Sequence, residues 1–89
     1  MTTLFVRHAV SDYAHWRKVY DDFRPVQKKA GVIAEAVYRG TENPNDVTVT
    51  HEFASAAAAT AFAGSQELKT AMHGAGIVGA PTIWFAEKT

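Results

Sequence analysis

Within its first 53 residues the chain changes the period of its apolar residues twice, and few folds accommodate that pattern. Residues 3–10 (TLFVRHAV) place Leu4, Val6, His8 and Val10 at every second position, the repeat of a strand with one face turned inward. From Tyr13 the spacing lengthens to three and four. Tyr13, Trp16, Val19, Tyr20, Phe23 and Val26 draw one stripe down a helix, while Asp12, Arg17, Lys18, Asp21, Asp22, Lys28 and Lys29 charge its other side. Residues 32–39 (VIAEAVYR) are strand-like again. Residues 47–53 (VTVTHEF) alternate cleanly, with Val47, Val49, His51 and Phe53 on one face and Thr48, Thr50 and Glu52 on the other.

Local punctuation divides these runs. Ser11 or Asp12 offers an oxygen to the exposed amides of a helix start. Pro25 lacks an amide and crowds the preceding turn, which predicts a kink or break near Arg24, and Gly31 ends the element. Residues 40–46 (GTENPND) concentrate turn formers, so the flanking strands read as a hairpin. Ser55 caps an alanine-rich helix that Gly64 stops. Ser65 restarts a short helix through about His73, with Leu68 and Met72 four apart on one side. Residues 74–80 (GAGIVGA) read as a flexible connection, after which Pro81 opens a last strand at 82–87 (TIWFAE).

The resulting β-α-β-β-α-β order predicts an α+β, ferredoxin-like sandwich, one domain over residues 1–89. Right-handed crossovers put the helices on one face of a four-stranded sheet. Val, Phe, Ile and Trp side chains also fall on the opposite face, and strands apolar on both sides are usually buried on both. A second copy packed sheet against sheet, closing a dimeric α/β barrel, is the expected cover. The resulting partner is a homodimer of this chain.

Charge and composition exclude several function classes. Lys+Arg and Asp+Glu both number 9, so the net charge is zero, without the basic footprint that nucleic acid or an anionic membrane attracts. The absence of cysteine removes disulfides, thiolate zinc sites and cysteine nucleophiles. No run nears the ~20 apolar residues of a membrane span, and no signal-peptide pattern opens the chain, so a cytoplasmic protein is expected. There is no Gly-rich phosphate loop, HExxH helix or serine-nucleophile elbow, and no pair of carboxylates shares a strand end.

Histidines and aromatics remain. His8 ends the first strand beside the helix cap, where an imidazole titrating near neutrality suits a general base. His51 lies near the opposite end of an antiparallel neighbour, offset from His8 by roughly 10 Å, so the two do not share a metal; strand register leaves open whether His51 faces the pocket or the dimer. No metal site and no cofactor is expected. His15 falls on the charged side of the first helix and reads as solvated, while His73 in a last turn complements the helix dipole. Trp16, Tyr20 and Phe23 form a core stripe that doubles as a flat wall for an aromatic ligand. Tyr38 and Trp84 carry polar handles suited to a ligand or a neighbour, whereas Arg39 and Glu52 are placed to snorkel or pair.

The segments VRHAVSDYAHW, NPNDVTVTHEF, SQELKTAMHGAG and GAPTIWF, with the aromatic helix, span nearly the whole chain. Together they resemble the dimeric α/β-barrel superfamily, specifically the small proteins grouped with antibiotic-biosynthesis monooxygenases. That resemblance implies the fold, the homodimer and a ligand pocket between helices and sheet. Members include cofactor-free oxygenases of electron-rich phenolic polyketides, haem degraders, cyclases and isomerases. Haem-degrading members carry an iron-ligating histidine on the helix that here holds Met72 nearer that phase than His73, and no basic rim for propionates is present. The resemblance implies a cofactor-free monooxygenase or cyclase acting on an aromatic or polyketide-like substrate. In that reading His8 is catalytic, and Trp16, Tyr20, Tyr38, His51 and Trp84 contact the ligand. The alternative is a non-catalytic dimeric small-ligand-binding or stress-related module.

Overall fold

The computed structural model describes all of Met1–Thr89. Its elements in chain order are β1 (Thr2–Val10), α1 (Tyr13–Asp22), α2 (Arg24–Lys29), β2 (Ala34–Arg39), β3 (Asp46–Phe53), α3 (Ala56–Ala63), α4 (Gln66–Gly74) and β4 (Ile77–Glu87). Three caps act where oxygen-bearing side chains precede apolar runs. Asp12 accepts from the Ala14 and His15 amides, Ser55 from Ala58, and Ser65 from Leu68. Pro25 splits the first helical run rather than bending it. Phe23 ends α1 and begins α2, with the proline in the new first turn, where its missing amide is no loss. Gly31 leaves α2 at φ 99°, a backbone region glycine enters freely.

All strand pairs are antiparallel, in the order β2-β3-β1-β4 of a ferredoxin-like α+β sandwich. The sheet is open within one chain. β1 and β3 pair with Leu4 opposite His51, Val6 opposite Val49 and His8 opposite Val47. One parity therefore faces the helices, and Leu4, Val6, Val47, Val49 and Phe53 are buried against Trp16, Tyr20, Ala59 and Phe62.

The last strand departs from the sequence reading. β4 begins at Ile77, so most of the supposed flexible connection is strand, and Pro81 lies inside it rather than at its start. The cause is a register shift between Arg7 and Ala9, where β4 carries Gly79 at φ 76° and Pro81. A bulge on an edge strand tolerates both residues, which a regular central strand would reject.

The face away from the helices is mixed. Phe5, Tyr38, Val78 and Trp84 share it with Thr48, Thr50, Glu52 and an Arg7–Asp46 ion pair. Ile83 and Phe85 take the opposite parity on β4, yet they remain 40% and 44% exposed because the helices do not extend over that edge.

Candidate functional site

A cavity of about 40 Å³ lies between the sheet and the helices. Its floor is the Val6–Val49 pair with His8 beyond one end and His51 beyond the other; Trp16, Val19, Tyr20 and Phe23 of α1 roof it, Gln27 of α2 closes one side, and Leu68, Ala71, Met72 and Ala75 close the α4 side. Strand pleating brings the two histidines to this face, and the three-and-four spacing of α1 supplies the aromatic roof. The rings run in near contact: His8 to Trp16 5.7 Å, Trp16 to Tyr20 5.0 Å and Tyr20 to His51 6.1 Å between centroids. Phe62 abuts the far side of His51 at 5.3 Å.

Both imidazoles are buried, His8 at 6% exposure and His51 at 3%. Neither nitrogen of His8 has a hydrogen-bond partner, nor does Nδ1 of His51. An unpaired buried polar group costs about 1–3 kcal/mol, so the cavity beside these three atoms is where a water or a polar group of a ligand would pair with them. Burial lowers the pKa of His8, against a smaller upward pull from Asp46. Burial likewise lowers His51, to about 4, with Glu35 pulling it up. At neutral pH both rings are therefore uncharged proton acceptors.

Behind His51 stands a polar chain. The Tyr20 hydroxyl donates to Glu35 Oε2 at 2.6 Å and lies 3.5 Å from His51 Nε2. Arg24 donates to the other Glu35 oxygen at 2.9 Å. Burial, then the hydrogen bond and charge of Glu35, hold the Tyr20 phenol far above its usual range, while Gln27 and Arg24 pull it down. Tyr20 thus keeps its proton. His8 lacks such an organiser: Asp46, opposite Ala9, lies on the other face of the sheet, paired with Arg7 at 3.0 and 2.7 Å.

Of the residues singled out from sequence, the structure brings His8, Trp16, Tyr20 and His51 together. It places Tyr38 and Trp84 on the open face, away from this cavity. Tyr38 is 58% exposed beside a groove of about 360 Å³ bordered by Thr3, Phe5, Thr50 and Glu52. Trp84 stacks flat on Phe5, 5.1 Å between centroids. Parity decides both cases: Tyr38 is opposite Thr48 and Trp84 opposite Phe5, the outward set. His15 is exposed but engaged, donating from Nε2 to the Gly74 carbonyl at 2.9 Å and tying α1 to the end of α4. Met72 borders the cavity and His73 is exposed, the phase read from the helix. Sequence reasoning missed Glu35 and Gln27. Glu35 shares a parity with Val37, and a carboxylate on an inward face is the signal that points to it. There is no cluster of three metal-ligating side chains.

The antibiotic biosynthesis monooxygenase model matches residues 8–74, which contain the last three residues of β1, the aromatic roof and the hairpin. The chain belongs to the antibiotic biosynthesis monooxygenase family. Solved structures extend the likeness of fold to the whole chain. A candidate antibiotic biosynthesis monooxygenase from Bordetella bronchiseptica superimposes with a TM-score of 0.85 at 16% identity, covering 99% of this chain and 96% of that one. One from Caulobacter crescentus CB15 gives 0.80 at 20% identity, over 99% and 89% of the two chains. A protein of unknown function from Nitrosomonas europaea gives 0.78 at 22% identity, over 98% and 87%. No curated protein matches the chain. No helix is long and apolar enough to cross a membrane.

Proposed function

We propose that this family member is a cofactor-free small-molecule enzyme of the monooxygenase or cyclase type. Its substrate is an uncharged aromatic or polyketide-like compound bound between α1 and the sheet. The observation that carries this reading is the set of unpartnered nitrogens on two neutral, buried imidazoles beside an aromatic-walled cavity. His8 takes a proton from the substrate, and Trp16 and Tyr20 orient its ring. A weakly acidic phenol or enol deprotonated in a dry site becomes an electron-rich anion, the species that reacts with oxygen or cyclises without a cofactor.

The cavity's about 40 Å³ is well short of the ~150 Å³ that accommodates benzene, so binding requires the wall to yield. Met72, unbranched and only half-buried, is the wall residue best suited to move. That small volume also favours a second reading, a non-catalytic dimeric module with a filled core. Oxygen uptake and product formation with anthrone-type and quinol substrates separate the two. The enzyme reading expects turnover that falls about 100-fold in His8→Gln. Unchanged turnover in that variant overturns the assignment of His8. Lack of both turnover and any quenching of Trp16 fluorescence by these compounds supports the filled-core module.

We further propose that two copies assemble through the open face and the β4 edge. Val78 and Trp84 on the open face, and Ile83 and Phe85 on the helix side of the same edge strand, are each 40% exposed or more, apolar surface that a partner covering the face and wrapping the edge would bury.

A further inference from the structure

The Tyr20–Glu35 chain has no task in the steps above, yet it ends on a cavity-lining imidazole. Tyr20 has one hydroxyl proton, and the 2.6 Å approach to Glu35 Oε2 uses it. Its oxygen then meets His51 Nε2, 3.5 Å away, as an acceptor only. His51 must therefore carry its proton on Nε2 to satisfy that contact, which leaves the lone pair on Nδ1, the nitrogen with no protein partner. Arg24 fixes Glu35 from outside, bound to its second oxygen and to Asp21. The contact to His51, at 3.5 Å, is long for a hydrogen bond.

We propose that His51 is a second base of this site, and that Tyr20 and Glu35 are positioning residues that hold it as the Nε2–H tautomer. This rests on the cavity being the reaction site. In the step, an O–H or C–H bond of the substrate breaks, its electron pair stays on the substrate, and the proton binds Nδ1. The resulting imidazolium keeps its Nε2–H as a hydrogen-bond donor to the Tyr20 oxygen, and the Glu35 charge behind Tyr20 stabilises it. Register separates this base from His8 by the Val6–Val49 layer, so the two act at different ends of a bound molecule.

The charged or titratable groups facing His51 are Tyr20 from α1 and Glu35 from β2, with Arg24 of α2 behind Glu35. Phe62 of α3 and Leu4 of β1, its other close neighbours, carry no charge. The test is nitrogen-15 NMR of histidine-labelled protein at neutral pH, which needs no substrate. The wild type is expected to show His51 protonated at Nε2 with a free Nδ1. Tyr20→Phe retains the ring and removes the oxygen, and it is expected to raise the Nδ1–H population at least tenfold. Glu35→Gln, at a partly exposed strand position, is expected to shift the His51 titration midpoint downward by removing the charge that raises it. A wild-type Nδ1–H tautomer overturns the proposal, as does a Tyr20→Phe tautomer ratio equal to wild type or an unmoved midpoint in Glu35→Gln. If the tautomer behaves as expected but no substrate turns over, the reaction-site reading fails and the positioning of His51 by Tyr20 stands.

Discussion

Burial of His51 makes folding stability depend on pH in a way one substitution isolates. An ordinary imidazole titrates at 6.5, and His51 in the folded chain at about 4. The folded pKa is depressed, so the unfolded chain binds the proton first as pH falls, and stability is lost through the interval from 6.5 down to 4. At about 1.36 kcal/mol per pH unit the full gap is worth about 3.4 kcal/mol, reached below pH 4. Between pH 7 and pH 5 the same two values give a loss of about 2 kcal/mol. A chain of 89 residues has roughly 4–13 kcal/mol of total stability, so the loss is large enough to measure. His8 shifts in the same direction, and the carboxylates contribute as well, so the wild-type slope alone does not isolate His51. His51→Gln removes its titration and leaves the others. Urea unfolding at one fixed protein concentration, followed by tryptophan fluorescence, is run on both proteins at pH 7 and pH 5. The wild type is expected to lose about 2 kcal/mol more than His51→Gln over that interval. Equal losses, or a larger loss in the variant, refute the claim that His51 is held neutral by burial.

Two further outcomes follow from packing. Phe53 is fully buried at the foot of β3 against Phe62, 5.5 Å between ring centroids, so Phe53→Ala is expected to cost about 3–5 kcal/mol in urea unfolding. Trp84→Lys places a charge in the exposed margin of β4 and is expected to convert a dimeric light-scattering mass to that of one chain; a monomeric wild type contradicts the proposed assembly.

The fold was legible because its signals are local. A cap oxygen reports a helix that starts at the next residue, taking the amide three residues ahead, as Ser55 and Ser65 do, and the alternation in VTVTHEF holds within a single strand. Pro25 was also readable, although whether it bends or divides a helix depends on how the chain turns at Phe23. Here the Phe23 amide closes the first helix on the Val19 and Tyr20 carbonyls, and its carbonyl accepts from the Val26 and Gln27 amides and begins a new one. The 74–80 segment misled for a non-local reason. Glycine and proline deny a regular strand, but a bulge opposite Arg7 and Ala9 accepts them, and that register is set by β1, 69 to 75 residues away in the chain.

The site was legible only as far as parity reached. Alternation put His8 and His51 on the apolar faces of β1 and β3 but left open whether His51 turns to the pocket or to a partner; pairing with Leu4 turns it to the helices, and both histidines line the cavity. For Tyr38 and Trp84, aromatic character suggested a pocket, whereas the face is decided by pairing to Thr48 and Phe5. Register also refines the spacing of the histidines. Leu4 stands opposite His51 and His8 lies four residues further along β1, about 13–14 Å at strand rise, more than the roughly 10 Å read from sequence. At that separation the rings share neither a proton nor a ligand atom. What links them is the aromatic roof and the valine floor, and only one of them has a polar chain at its back. Two similar residues at mirrored strand positions thus acquire different chemistry from what surrounds them: parity leaves Asp46 with Arg7 on the far face of the sheet from His8, while Glu35 reaches His51 through Tyr20.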